Sequence, residues 1–473
     1  MHAARFSLMF LLFGSTAAVA QGSGSYYVEP GTSNSQRETD PPSYVRNLGA
    51  EGHQGLEWLD FGLQQRVRYE SRDDDIRRLD VHGTDDQWLS RTRVYAGVRS
   101  GFDPLRFAVE FQDSRRDGSR YARDNRDVNK AEFIQGYAEL YFADALGTDA
   151  RGNARPVSVR YGRHAFELLD RRLVARNEWR NTTNTFEGFR AGIGQQANDW
   201  QLELLSLHPI TRLLEDTDRV DYSQRFNAVI GHWRCLPRLT LEPHYFYLEQ
   251  EARPTNGNRA RKIHAPGLRA YGKTADGAVN YELSVMAQFG DDGPLDHKAL
   301  GLTTETGYTW LQHPWRPRLS AFYGYASGDR DPVDADSERF ERFFGFARPW
   351  SASDYVIYEN LHAPKVRFEF QPVQGLRVDM GYGAFWLASD TDRFNNLLAS
   401  AAFNRDASGR SGDFIGQEFD ARARFSLGDY TDVTVGYSHF HTGEFVRNRQ
   451  QAALGDSARD TDFVYLELVF SLF

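Results

Sequence analysis

The chain has 473 residues and a formal charge of −9, which makes it too acidic overall for a general nucleic-acid binder. Only 40% of its residues are hydrophobic and mean hydropathy is −0.60; this excludes a bundle of transmembrane helices, each of which needs roughly 20 consecutive apolar residues. The single cysteine, Cys235, excludes an intramolecular disulfide and any cysteine-based zinc cluster, and reads as an inert packing residue.

The N-terminus carries an address. Arg5 precedes the apolar run Phe6 to Phe13, and small residues follow, ending Ala18-Val19-Ala20. A basic residue, a short apolar stretch and an A-x-A site predict a signal peptide over 1–20, cleaved after Ala20 in an exported protein. Residues 21–56 are rich in Gly, Ser, Pro and Asn and include Asp40-Pro41-Pro42. They predict a flexible periplasmic tail.

From Glu57 onward, apolar and polar residues alternate at period two, the signature of strands with two unlike faces. Leu59, Phe61, Leu63, Val67 and Tyr69 share one face, while Asp60, Gln64, Arg66, Arg68 and Glu70 share the other. Eighteen such stretches follow in chain order, near 57–70, 87–100, 104–113, 132–143, 155–163, 185–194, 199–208, 225–234, 238–250, 261–273, 277–290, 297–310, 316–328, 361–371, 375–389, 414–428, 430–442 and 461–473. Short gaps such as 101–103, 235–237, 274–276 and 372–374 alternate with generally longer ones, the longest being 329–360 and 390–413. The fold class is therefore all-β: over 57–473, a transmembrane outer-membrane β-barrel of about eighteen antiparallel strands, with long extracellular loops and short periplasmic turns. Trp58, Trp88, Trp200, Trp233, Trp310 and Trp386 fall near strand ends, as aromatic girdles require. The terminal Phe473 resembles the assembly signal of such barrels.

Residues 157–190 contain Gly162-Arg163, then Arg171, Arg172, Arg176 and Arg180, then Asn181-Thr182 and Phe186-Glu187-Gly188. Gly307-Tyr308, Ser327-Gly328-Asp329, Gly416-Gln417-Glu418-Phe419-Asp420, Gly436-Tyr437-Ser438 and Gly443-Glu444-Phe445 follow in order. This series resembles the alginate-export family of outer-membrane proteins across essentially the whole barrel. The resemblance implies an eighteen-stranded barrel that passes an anionic polysaccharide through a positively charged pore.

Of the 56 basic residues 51 are arginine, an excess that GC-rich codons account for in bulk and that is functional where the planar fork of donors is placed to hold carboxylates. Alternation points Arg66 with Arg68, Arg91 with Arg93, Lys365 with Arg367, and Arg422 with Arg424 into the lumen, Leu89 being an apolar exception on the second strand. Arg160 and Arg190 face inward from the strands flanking the third long loop, and Arg163 joins the pore-lining set through the Gly-Arg motif. Rings of such cations select anions. Barrel interiors are polar in any case, and inward Glu70, Glu110, Glu139, Glu282, Glu369, Asp379, Glu418 and Asp420 offer each arginine a structural partner instead. Glu187, Glu418 and Asp420 either set arginine rotamers or hold a countercation. Arg171, Arg172, Arg176 and Arg180 either fold inward as a constriction or bind lipopolysaccharide phosphates outside.

Asp329, Asp331, Asp334 and Asp336 are the nearest approach to a calcium loop, but they lack the glycine and bidentate Glu of an EF-hand, so a solvated acidic loop is expected and no metal. His439 and His441 share a face without an identifiable third ligand. No nucleophile elbow, phosphate-cradling loop or zinc-protease motif is present in the sequence, so neither an enzyme nor a cofactor is expected. The expected activity is passive export of an alginate-like anionic polysaccharide or oligosaccharide by a monomer. Its partners are membrane lipid, lipopolysaccharide and periplasmic secretion proteins, with no nucleic acid. The alternatives are an uptake porin for small anionic solutes, a plugged barrel that binds partners through 329–360 and 390–413, and an outer-membrane hydrolase.

Overall fold

The computed structural model describes residues 24–27, 29–30, 38–78, 82–99, 101–253, 259–394, 404–456 and 458–472. The expected signal peptide over 1–20 and the terminal Phe473 lie outside the described residues.

The period-two segments form eighteen barrel strands. They are β1 Leu59–Asp73, β2 Thr84–Val98, β3 Leu105–Asp117, β4 Asn129–Phe142, β5 Val157–His164 and β6 Phe186–Ile193. Next come β7 Trp200–Thr211, β8 Gln224–Trp233, β9 Leu239–Gln250, β10 Arg261–Lys273, β11 Val279–Asp292 and β12 Leu295–Thr309. The last are β13 Arg318–Ala326, β14 Leu361–Val373, β15 Leu376–Trp386, β16 Phe414–Ser426, β17 Thr431–Thr442 and β18 Thr461–Leu472. Each pairs antiparallel with the next, and β18 closes on β1 from Leu63↔Leu472 to Asp73↔Asp462. Closure gives every barrel strand two neighbours, which a bilayer demands because it offers backbone groups no water.

Alternation sorts the side chains. On β14, Val366 is 51% exposed to the lipid side while its neighbour Lys365 is buried in the lumen. Aromatic pairs sit at strand ends, as with Trp58 against Phe102, Trp88 against Tyr69, Trp310 against Tyr308 and Trp386 against Phe414. The sixth extracellular connection departs from the expected alternation. It is only residues 293–294, and Asp336–Ser337 of the following long loop lies parallel to β12 and covers this short hairpin. The last long loop holds a helix, α1 Glu444–Leu454, which buries Phe445, Val446 and Gln450 and ends on Gly455 in the left-handed conformation. Strand periodicity gives no signal for it. Cys235 is exposed in the turn after β8, a correction to its reading as a packing residue: it falls just past the strand end, with its thiol 3.8 Å from the Asp199 carbonyl.

The main apolar core lies inside the barrel. Phe166, Leu168, Leu169, Leu173 and Val174 of the third long loop (165–185) pack with Phe343, Trp350, Tyr355 and Tyr358 of the seventh (327–360). Inward Phe226, Phe246, Ile263 and Met286 supply the wall. Val174 and Phe344 join the two loops by a parallel bridge. The segment expected as a flexible tail is packed from residue 38 onward. Tyr44 and Val45 are buried against Tyr95, Ala108 and Tyr137, and Arg46–Asn47 pairs antiparallel with β1. The polar, Pro-rich composition hides this because the cover comes from inward aromatics far away in sequence.

Gly162 and Gly188 stand in register on β5 and β6, with φ of +136° and +145°. A Cβ on either would lie 2.3 Å from a neighbouring strand's carbonyl oxygen. Only glycine takes this conformation readily, and here the wall turns the third loop inward. Gly162→Ala should therefore cost about 1–3 kcal/mol and lower the yield of heat-resistant, compact barrel on a semi-native gel.

Candidate functional site

The arginine ladder of β1 and β2 holds the third loop. Arg66 donates to the carbonyl oxygens of Glu178 and Arg180 at 2.8 and 2.9 Å and to Asn181 Oδ1 at 3.0 Å. Arg68 donates to the Trp179 carbonyl at 2.6 Å and lies 4.0 Å from the centre of that indole. Arg91 and Arg93 reach the Glu178 carboxylate at 3.0 and 2.8 Å, and Arg93 also binds Thr183. All four side chains are at most 4% exposed. Arg66 and Arg68 also pair with Glu467.

The four loop arginines point to fixed partners within the lumen. Arg172 binds Asp170 and Glu282, Arg176 binds Glu110 and Glu178, Arg180 binds Asp354 of the seventh loop, and Arg171 lies 4.0 Å from Glu167. Beyond Trp179, on the loop side, a cavity of about 50 Å³ is lined by Arg68, Arg72, Arg116, Arg180, Glu70 and Asp354, among others. That space suits water rather than a sugar residue.

Arg160 and Arg190 face the lumen and share Asp40, at 2.7 and 3.8 Å. Arg163 and Glu187 do not line the lumen. They stand opposite one another on the face that carries Val159, Tyr161 and Phe189 to the outside. Arg163 binds Glu132 at 3.0 Å and the Phe133 carbonyl at 2.9 Å. Period two already puts Arg160 and Arg163 on opposite faces; the motif resemblance alone brought Arg163 and Glu187 into the pore set.

The remaining basic residues cluster toward the short-turn end. Lys365 binds Asp420 at 2.8 Å, and Arg367 reaches both Asp379 and Asp420 at 2.5 and 3.5 Å. Arg422 and Arg424 also bind Asp379, at 3.0 and 3.1 Å. Three guanidiniums thus share one carboxylate, and exposed Arg377 stands opposite Arg424 in the register. Their N–H donors outnumber the lone pairs of Asp379. The side chains of Arg422 and Arg424 are 26% and 37% exposed, so donors remain within reach of solvent. Glu418 is different: it accepts from Ser351 Oγ and from the backbone N–H groups of Ala352 and Ser353, clamping the seventh loop.

Several participants escape sequence reasoning. Glu178 is one, although an acid set between Arg176 and Arg180 was a usable signal. Another is a buried chain of charges along the wall, of which the sequence marks only Glu282: Glu203 to His232 at 3.0 Å, His232 to Glu242 at 2.8 Å, Glu242 to Arg269 at 2.6 Å, and Arg269 to Glu282 at 3.1 Å. The four aspartates of the acidic loop do not converge. Asp336 pairs with Lys298 and Asp329 faces Arg405; among the described residues no group of three or more His, Cys, Asp or Glu is placed to hold a metal ion. His439 and His441 pair with Asp462 and Asp460 and are partly exposed, on the face of Tyr437, which points outward.

The family model described as alginate export matches residues 57–459. No curated protein matches the sequence. Among solved structures, Pseudomonas aeruginosa OpdK with vanillate aligns with a TM-score of 0.59 at 13% identity, over 88% of this chain and 98% of that one. Pseudomonas aeruginosa OccK3 (OpdO) aligns at 0.57 and 15% identity, over 90% and 99%. Acinetobacter baumannii OccAB1 aligns at 0.57 and 11% identity, over 88% and 97%. At these identities the likeness is one of fold.

Proposed function

The chain belongs to the alginate export family, and on that premise we propose that it passes an anionic sugar polymer or oligosaccharide through a lumen entered past an arginine cluster. Family and fold are those of an outer-membrane channel of a Gram-negative bacterium. The observation that carries the finer reading is the cluster at the short-turn end, where Arg367, Arg422 and Arg424 share Asp379 and keep solvent-reachable donors. Cations at a low-dielectric mouth focus potential and concentrate anions, and each guanidinium fits a uronate carboxylate with paired donors. Movement is passive: the driving force comes from synthesis or from periplasmic secretion partners, and the barrel contributes the route and its charge. The inward face binds the cargo and the apolar outer face meets lipid.

The filled lumen favours a second reading, uptake of small carboxylates. The third and seventh loops pack inside the barrel, which obstructs a polymer more than a monomeric acid. Single-channel recording under a salt gradient separates these. The channel should be anion-selective, and trimannuronate should block it. Arg422→Ala with Arg424→Ala should lower the anion-to-cation permeability ratio several-fold and weaken block by about tenfold, since each lost charge-assisted hydrogen bond is worth about 1.5–3 kcal/mol at most. Block by monomeric uronate but not by the trimer would favour the uptake reading; cation selectivity would sink both.

A further inference from the structure

We propose that Arg160 and Arg190 form a carboxylate-binding site in the lumen, occupied at rest by Asp40 of the chain's own N-terminal segment and taken over by the carboxylate of a passing anionic sugar. This rests on the anion-conduit reading above and adds the resting occupant and its displacement.

The two arginines are built alike. Arg160 gives Nη2 to Glu139 at 3.2 Å and Nη1 to Asp40 Oδ2 at 2.7 Å. Arg190 gives Nη2 to Glu203 at 2.9 Å and directs Nη1 to the same Asp40 oxygen at 3.8 Å. A wall carboxylate therefore steadies one arm of each guanidinium and leaves the other to converge on a single oxygen. The Tyr137 ring, 3.9 Å from the Arg160 guanidinium, fixes its plane. The occupant is tethered and accessible: the Asp40 side chain is 41% exposed, against 27% for Glu178, 6% for Asp354 and 0% for Glu110, which hold the third loop.

The same segment touches the third loop. The Glu38 backbone N–H donates to Glu167 Oε2 at 2.9 Å. The Tyr44 hydroxyl donates at 2.8 Å to Glu110 Oε1, the oxygen that also receives Arg176 of the loop. Displacing Asp40 thus loosens a segment that touches the third loop. A tethered carboxylate competes at an effective concentration of roughly millimolar, so its removal raises the apparent affinity for a free one.

The test uses the full barrel in planar bilayers, with trimannuronate added from the short-turn side and binding constants taken from current fluctuations. Asp40→Asn should tighten binding about tenfold. Gly62→Ala should reproduce the gain without changing a charge, because its Cβ would come within 2.8 Å of the Tyr44 ring and push the segment off the wall. In a background of Arg160→Gln with Arg190→Gln, Asp40→Asn should change nothing. An unchanged or weaker constant in Asp40→Asn, with selectivity still dependent on Arg422 and Arg424, overturns this proposal and leaves the conduit reading standing. A current blind to trimannuronate in every variant overturns both.

Discussion

Replacing Glu178 with alanine should release the third loop from the wall and give a larger, noisier single-channel conductance. The Glu178 carboxylate is the common partner of Arg91, Arg93 and Arg176, whose side chains are 4%, 2% and 1% exposed. Burial pushes that carboxyl upward, but the guanidiniums of Arg93, Arg176 and Arg91 hold it well below the usual range, so the pairing is between full charges. Glu178 itself is 27% exposed, so its removal costs less than the about 3–5 kcal/mol of a fully buried pair, but three buried guanidiniums lose their common partner. Here that cost should fall on the docked loop, because the wall strands keep their backbone pairing. Trypsin should then cut within 165–185 in E178A and not in the parent. E178Q keeps the shape and loses the charge, so it should fall between the two. The carboxyl is lowered on folding, so the latch is fully present above the ordinary glutamate value of about 4.3 and is lost only as pH falls through the lowered one. Conductance of the parent should therefore stay flat from neutral pH down to about pH 4.3. An E178A channel with parental conductance and parental resistance to trypsin contradicts the latch.

The sequence makes the wall legible because a lipid-facing barrel imposes one rule on every strand, and the eighteen alternating stretches each became a strand. The site is legible only in part, because alternation tells which way a side chain points and not what it meets. Arg66, Arg68, Arg91 and Arg93 face inward as expected, yet they meet the third loop rather than open lumen. Arg422 and Arg424 have the same local pattern and retain access to solvent, with side chains 26% and 37% exposed. What distinguishes the two groups is the path of residues 165–185, and that path depends on tertiary partners such as Asp354 and Glu110. The N-terminal segment failed for the same reason: a Pro- and Ser-rich stretch reads as a tail until Tyr44 finds Tyr95 and Tyr137.

Arg269→Met should destabilise the whole barrel, with an expected loss of about 3–5 kcal/mol, read as a lowered urea midpoint followed by tryptophan fluorescence in lipid vesicles. Arg269 sits between Glu242 and Glu282, at 2.6 and 3.1 Å, and all three are buried. Methionine fills a similar volume, so the change isolates charge from packing and leaves two carboxylates facing each other in a space closed to water. Glu242 is also the partner of His232, and Glu282 is the partner of Arg172 in the third loop, so the loss spreads in both directions. Adding Glu242→Gln removes one stranded charge and should recover part of the midpoint, and the two changes should be strongly non-additive. The same network reaches the third loop: without Arg269, Glu282 keeps Arg172 as an ion-pair partner, which should tighten that end of the loop while E178A loosens the other. Combining R269M with E178A should therefore lower stability further yet reduce the conductance gain of E178A alone. If stability and conductance moved independently instead, the wall network would be purely structural, with no connection to the loop that narrows the lumen.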